Sequence, residues 1–290
     1  MPFMEERVKF VPMAELLQDA SSQGYAVPAF CIWSMDELAV TLRVATELRA
    51  PFIIMASRFE FMLMSPTMYA DCARALMRHF SVPVALHLDH GESLAQVKAC
   101  LDAGFTSVML DYSARPFEEN VAGLRQVSAL AHPLGVTVEG ELGHVGKADT
   151  VTMESEGDST LTLPEDAARY VEETGVDALA VSIGNAHGQY TRLPQFDFAR
   201  LAEIRSAVRV PLVLHGGSGT PDADLKRAIA LGMAKVNVAT DLTVAMRQGL
   251  KAELALAQPR WLPHSLNLAV EEVVPTVERW FHLTGAAGRA

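Results

Sequence analysis

Cysteine is scarce in this chain: Cys31, Cys72 and Cys100 are its only three, and no CxxC pair occurs. An odd, sparse set speaks against a disulfide framework and for a reducing compartment. Positive charge is also short. Lys and Arg number 24 against 35 Asp and Glu, a formal net charge of −11. That balance argues against a nucleic-acid or anionic-membrane partner, although one local anion site can still differ from the mean field. Long apolar runs are missing, and none reaches the roughly 20 residues of a membrane span. The first residues, MPFMEERVKF, hold acids and lack an apolar h-region. No secretory signal is expected, and the chain reads as cytoplasmic. No linker, low-complexity tract or charge block divides the sequence, so residues 1–290 are expected to form one domain.

What is present is core. Half of the 290 residues are hydrophobic, and the length suits a single (β/α)8 barrel, which takes about 250 residues. Short apolar runs occupy 25–32, 52–56, 82–88, 107–110, 135–142, 178–183, 210–214 and 234–238. Most are apolar on both parities, as strands covered on both faces are. Amphipathic segments at 35–49, 92–103, 116–132, 164–174 and 221–231 alternate with them. Ser93, Pro164 and Pro221 mark helix starts, and Gly104, Gly135, Gly175 and Gly232 follow helix ends. The fold expected is a TIM barrel with extra C-terminal helices, broken near Gln258-Pro259-Arg260; a doubly wound open sheet is the rival. Residues 143–162 lack periodicity and suggest a mobile functional loop.

In such a barrel the site lies where strands end. Those ends carry Cys31 and Ser34, Ser57, Asp89 and His90, Asp111, Glu141, His187, His215 and Asn237. The three histidines His90, His187 and His215 lie 97 and then 28 residues apart, so only the barrel can bring them together. Three neutral imidazoles leave a coordination position open, as a catalytic zinc site requires. Cobalt or iron would also accept that donor set. Asp89 reads either as a general acid/base or as a partner orienting His90. Asp111 and Glu141 read as a second metal position, as support for the first, or as ion-pair partners of a loop Lys or Arg. His87, His79, His132, His264 and His282 are taken as structural. The glycine-rich His215-Gly-Gly-Ser-Gly219 turn and the Asn237-Val-Ala-Thr240 segment each precede a helix and suit a phosphate group.

These residues carry a resemblance. The segments VPVALHLDHG (82–91), AGFTSVMLD (103–111), PFEENV (116–121), VEGELGHVG (138–146), DALAVSIGNAHGQY (177–190), PLVLHGGSG (211–219) and KVNVATDL (235–242) resemble the class II, metal-dependent ketose-bisphosphate aldolases over essentially the whole chain. The resemblance implies a TIM barrel in homodimers or homotetramers, and zinc on His90, His187 and His215. It implies that Asp89 protonates the aldehyde oxygen during condensation. Gly188, Gly216, Ser218, Asn237 and Thr240 match positions that hold dihydroxyacetone phosphate. Gly188 and Gly216 also lie where some members bind a monovalent cation, Na+ or K+, through backbone carbonyls. Ser57 matches a substrate-contacting serine. Arg260 resembles an arginine reached from a neighbouring subunit to hold the far phosphate. Cleaving a ketose between C3 and C4 leaves an enediolate that a Lewis acid stabilises, so no Schiff-base lysine is required.

The departures from the family lie in loops. The usual Gly-Gly-x-Glu-Asp, whose Glu moves the enediolate proton, is replaced by Gly146-Lys147-Ala148-Asp149-Thr150. Asp149 takes that place, with Glu154 or Glu156 as substitutes. Ser57-Arg-Phe-Glu-Phe-Met-Leu-Met64 stands where relatives have a small Gly/Thr-rich loop. There Arg58 reads as a grip on a substrate anion or as a surface ion pair. Cys31 replaces an Asn, Ala114 a His and Thr191 a common Lys. The function expected is reversible aldol cleavage of a phosphorylated ketose, fructose- or tagatose-bisphosphate-like, to dihydroxyacetone phosphate and an aldehyde. A malonate-semialdehyde-type partner aldehyde is an alternative, as is a non-catalytic homologue serving as partner subunit. A barrel metallohydrolase would need a His-x-His on the first strand, and Phe30-Cys-Ile-Trp33 has none.

Overall fold

A computed structural model describes residues 10–146, 160–188, 190 and 193–290. Eight parallel strands close in sequence order into a barrel. They are β1 (Val27–Cys31), β2 (Phe52–Ala56), β3 (Val84–Gly91), β4 (Ser107–Leu110), β5 (Thr137–Leu142), β6 (Ala178–Val181), β7 (Leu212–Leu214) and β8 (Met233–Val238). Every strand residue is buried, which explains the continuous apolar runs: one face meets the barrel interior and the other meets helices. Closure comes from β1 on β8, with Ala29 opposite Asn237. The open doubly wound sheet is thereby excluded.

The helices are α1 (Met13–Gln23), α2 (Met35–Leu48), α3 (Pro66–Met77), α4 (Leu94–Asp102), α5 (Phe117–Ala131), α6 (Pro164–Thr174), α7 (Phe198–Ala207), α8 (Asp222–Ala230), α9 (Thr240–Leu254), α10 (Leu262–Glu271) and α11 (Val274–Thr284). Their ends follow local chemistry. The Ser34 side chain accepts from the Glu37 N–H at 3.1 Å, an N-cap bond, and the Glu37 side chain accepts from the Trp33 N–H at 3.2 Å. Ser34 therefore starts a helix. Ser93 caps α4 in the same manner, 3.2 Å from the Gln96 N–H. Gly175 ends α6 at φ 68°, the left-handed value that favours glycine.

α1 was not evident in the sequence. It buries Met13, Leu16, Leu17 and Ala20 at the N-terminal end of the barrel. The Ala14 N–H donates to the Thr137 hydroxyl at 2.9 Å, and the Val11 N–H to the Val84 carbonyl at 2.9 Å. With that end covered, the opposite mouth is left for chemistry. The C-terminal α11 sends Phe281 against Phe30 and Phe52, with ring centroids 5.4 and 6.1 Å away, so the tail is part of the core. No helix among the described residues is long and apolar enough to cross a membrane.

Candidate metal centre and active site

β3 runs three residues past the apolar stretch and is irregular between Leu88 and Gly91. The irregularity leaves His90 at φ 44°, left-handed backbone that few non-glycine residues adopt. Such strain persists only where surroundings hold it, and it concentrates at functional positions. Here the hold is Asp111, whose Oδ2 lies 2.7 Å from His90 Nδ1. Asp111 is itself fixed by the Ser113 N–H and hydroxyl, at 3.0 and 2.7 Å. Burial opposes its charge, but His90 and Ser113 outweigh that and keep the carboxyl well below its usual range.

His215 follows β7 directly. Its Nε2 lies 2.9 Å from Glu139 Oε1, and its carbonyl accepts from Asn185 Nδ2 at 2.9 Å. His187 sits on the loop six residues past the end of β6, where its N–H donates to the Gly146 carbonyl at 2.8 Å. The three buried rings approach within 4.7–5.6 Å, centroid to centroid, and one ligand atom from each lies within 4.8 Å of the others. The triplet that looked scattered along the chain is one cluster.

The tautomers follow from the partners. Carboxylates only accept, so His90 donates from Nδ1 and His215 from Nε2. Their other nitrogens, His90 Nε2 and His215 Nδ1, are buried and make no hydrogen bond among the described residues. His215 Nδ1 also lies 2.9 Å from Glu141 Oε2 without hydrogen-bond geometry. Burial works against charge on His215, yet Glu139 and Glu141 push its pKa up to about 9. The surroundings thus favour a positive charge at this point. Two buried imidazole nitrogens that make no hydrogen bond among the described residues, beside carboxylates that hold the rings, fit a cation of the zinc type. His90, Asp111 and Glu141 form an overlapping second cluster.

Beside the histidines opens a cleft. Asp89, His187, Gly188, Gly216, Ser218, Asn237 and Thr240 all line it, as the sequence suggested, with Met55 and Ala239 in addition. Asp89 Oδ1 accepts from Asn237 Nδ2 at 3.1 Å. Burial would raise its carboxyl, but the charges of His90, Lys235 and His215 prevail and hold it below the ordinary value. At the far wall the 216–219 turn meets the start of α9, where the Asp241 N–H donates to the Ser218 hydroxyl at 3.1 Å. Backbone N–H groups at a helix start favour an anion. Gly216 is at φ 67°, and a Cβ on it would lie 2.0 Å from the Ala186 carbonyl oxygen. Gly216→Ala is therefore expected to destabilise the fold by about 1–3 kcal/mol and to weaken inorganic phosphate binding. Thermal melts and phosphate titration check both, and unchanged phosphate affinity would remove this turn from the site.

Other expectations fare differently. Ser57 is engaged elsewhere: its N–H and hydroxyl both donate to Glu60 Oε2, at 2.6 and 2.8 Å. Glu60, buried and raised by that burial, also accepts from Cys31 Sγ at 3.3 Å. Arg58 pairs with Glu92 and stacks on Phe59, with the guanidinium 4.7 Å from the ring, the surface-pair alternative. Arg260 pairs with Glu253 at 3.0 Å and does not line the cleft of its own chain. Asp149, Glu154, Glu156 and Thr191 lie outside the described residues.

The sequence reading missed Glu139, Glu60 and Asn185, took His87 as structural and gave Lys235 no role in the site. Parity was the available signal. Side chains two apart on a strand share a face, so Glu139 points inward with Glu141, Lys235 with Asn237, and His87 with Asp89. One turn of polar groups at the mouth thus rests on a second one beneath it. There Lys235 Nζ donates to Glu139 Oε2 at 2.7 Å. His87 is held neutral, with burial first and Lys235 next lowering its pKa to about 3.

Fold and site together define a parallel barrel with a candidate metal centre at its C-terminal mouth. The family model described as fructose-bisphosphate aldolase class-II matches residues 11–289; the chain belongs to that family and is an aldolase by descent. Among solved structures it is similar to the YdjI aldolase from Escherichia coli K12, at 33% identity over 97% of this chain and 99% of that one, TM-score 0.85. It is also similar to a putative fructose-1,6-biphosphate aldolase from Coccidioides immitis, at 28% identity over 98% of each chain, TM-score 0.86. The fructose-bisphosphate aldolase of Campylobacter jejuni shares the fold at TM-score 0.81, with 24% identity over 97% of each chain.

Proposed function

We propose that this chain is a zinc-dependent aldolase that reversibly cleaves a phosphorylated ketose to dihydroxyacetone phosphate and an aldehyde. The observation that carries the reading is the convergence of His90, His187 and His215, with ligand atoms within 4.8 Å, beside a cleft lined by His187, Asp89, Gly216 and Ser218. When bound, the metal would polarise the ketose carbonyl and stabilise enediolate charge. His90, His187 and His215 would hold it, with Asp111, Glu139 and Glu141 fixing or neutralising that set. The 216–219 turn, Asn237 and the start of α9 bind the triose phosphate group. Asp89, ionised and held by Asn237, takes the C4 hydroxyl proton in cleavage and returns it in condensation. A monovalent cation on the Gly188 and Gly216 carbonyls and a substrate contact by Ser57 belong to the same reading. For Ser57 this requires its hydroxyl to leave Glu60.

Asp149 is proposed to move the enediolate carbon proton. Asp149→Ala is expected to slow exchange of the triose-phosphate C3 proton in D2O by about 10²-fold, at the low end of acid–base effects because neighbouring carboxylates can substitute. Wild-type exchange would shift the role to Glu154, Glu156 or another group. A homo-oligomer is supported by the exposed Leu254, Trp261 and Leu262, 79, 81 and 61% accessible, which surround Arg260 in sequence; a partner's cleft would then receive that arginine. The decisive experiment is retro-aldol turnover of the zinc-loaded protein on a panel of fructose-, tagatose- and sugar-acid phosphates. Dihydroxyacetone phosphate release supports the reading and identifies the aldehyde. Stoichiometric zinc without turnover, restored only by a partner protein, overturns it in favour of an accessory subunit.

A further inference from the structure

Lys235 is completely buried on β8, where a lysine is expected only if it is paired. It does not line the cleft, so its amine is not placed to attack a substrate carbonyl. Its Nζ lies 2.7 Å from Glu139 Oε2, and the other carboxylate oxygen, Oε1, lies 2.9 Å from His215 Nε2. All three side chains have no solvent exposure. One further group faces the same oxygen: His87 Nε2, 3.8 Å from Glu139 Oε2 and 3.8 Å from Asp89 Oδ1. His87 Nε2 makes no hydrogen bond among the described residues, while its Nδ1 is held 2.8 Å from the Ser107 hydroxyl.

We propose that Lys235 is a positioning residue for the metal centre: by anchoring Oε2 of Glu139 it keeps Oε1 aimed at His215 Nε2, and so keeps His215 Nδ1 as the lone pair presented at the mouth. The inference rests on His215 being a metal ligand. Its physical content is orientation. A carboxylate held at one oxygen only can rotate about its last bond, and His87 Nε2 offers an alternative partner within that swing. Once Glu139 turns, His215 loses the acceptor that selects its tautomer and its ring angle. Outer partners of ligating histidines commonly set metal affinity through this effect. The same anchor keeps His87 from competing for Glu139 and leaves it beside Asp89.

The test is zinc affinity by chelator competition, with the visible spectrum of the cobalt-loaded protein, both without substrate. Lys235→Met is expected to lose about 10- to 100-fold in zinc affinity and to alter the cobalt spectrum. The double variant Lys235→Met/Glu139→Gln should recover about tenfold of that loss, because the glutamine carbonyl still accepts from His215 Nε2 and the neutral amide leaves no unpaired buried charge once the ammonium is gone. A purely structural lysine would not show that rescue. Val236→Ala, on the opposite face of the same strand, should leave the affinity unchanged. Wild-type affinity and spectrum in Lys235→Met, or a double variant no better than the single one, overturns the inference. If Lys235→Met does not fold, the double variant decides alone, an affinity within about tenfold of wild type supporting and a loss of about 100-fold refuting. A wild-type protein that takes up no zinc would instead sink the proposed function itself.

Discussion

His215→Ala is expected to leave the protein without bound zinc and to reduce aldol cleavage by at least about 10³-fold. The magnitude follows from Lewis-acid stabilisation being worth several kcal/mol, each ~1.4 kcal/mol being a factor of ten in rate. His215 is the side chain on which the centre depends most, because it touches both carboxylates of β5: Glu139 at 2.9 Å and Glu141 at 2.9 Å. Alanine removes a donor nitrogen and leaves those two buried acids facing a gap. Metal analysis of the purified variant, with circular dichroism to show that it folds, checks the result. Unchanged zinc content would remove His215 from the ligand set.

Asp89→Asn is the second large effect. The substitution keeps the size of the group and an oxygen for Asn237 Nδ2, now 3.1 Å from Oδ1, but it cannot take up a proton. Turnover is expected to fall by about 10²–10⁴-fold, the usual contribution of a positioned acid or base, while zinc content stays at the wild-type level. That separation is the informative part. Loss of metal together with rate would mean that Asp89 serves to orient the neighbouring His90, the alternative open from sequence. Full activity in the variant would move the proton step to another group on the cleft.

Much of the site was legible because barrel geometry turns a strand-end list into a neighbourhood. Asp89, His90, His187, His215, Asn237 and the glycine-rich turn were named from their positions after apolar runs, and all converge. Two things blurred the reading. Loop residues obey contacts and not periodicity, so Ser57 looked available until its hydroxyl was found on Glu60 at 2.8 Å. The buried polar layer was hidden because Glu139 and Lys235 sit inside apolar strands, where single charges resemble noise unless the partner across the barrel is known. Glu60 left a trace, the Ser-x-x-Glu spacing of 57–60, which also marks caps.

By itself the sequence determined the barrel, the helix starts and the donor types at the mouth. These depend on two-residue and 3.6-residue periodicity and on capping chemistry, which act between neighbours along the chain. Only the tertiary structure decided which nitrogens of His90 and His215 are presented, which acids stand behind them, and that Lys235 pairs with Glu139 beneath the centre. Those outcomes depend on pairings such as Lys235 with Glu139, 96 residues apart in the chain and 2.7 Å apart in space. No local pattern encodes such a pairing, because it exists only once eight strands have closed on one another.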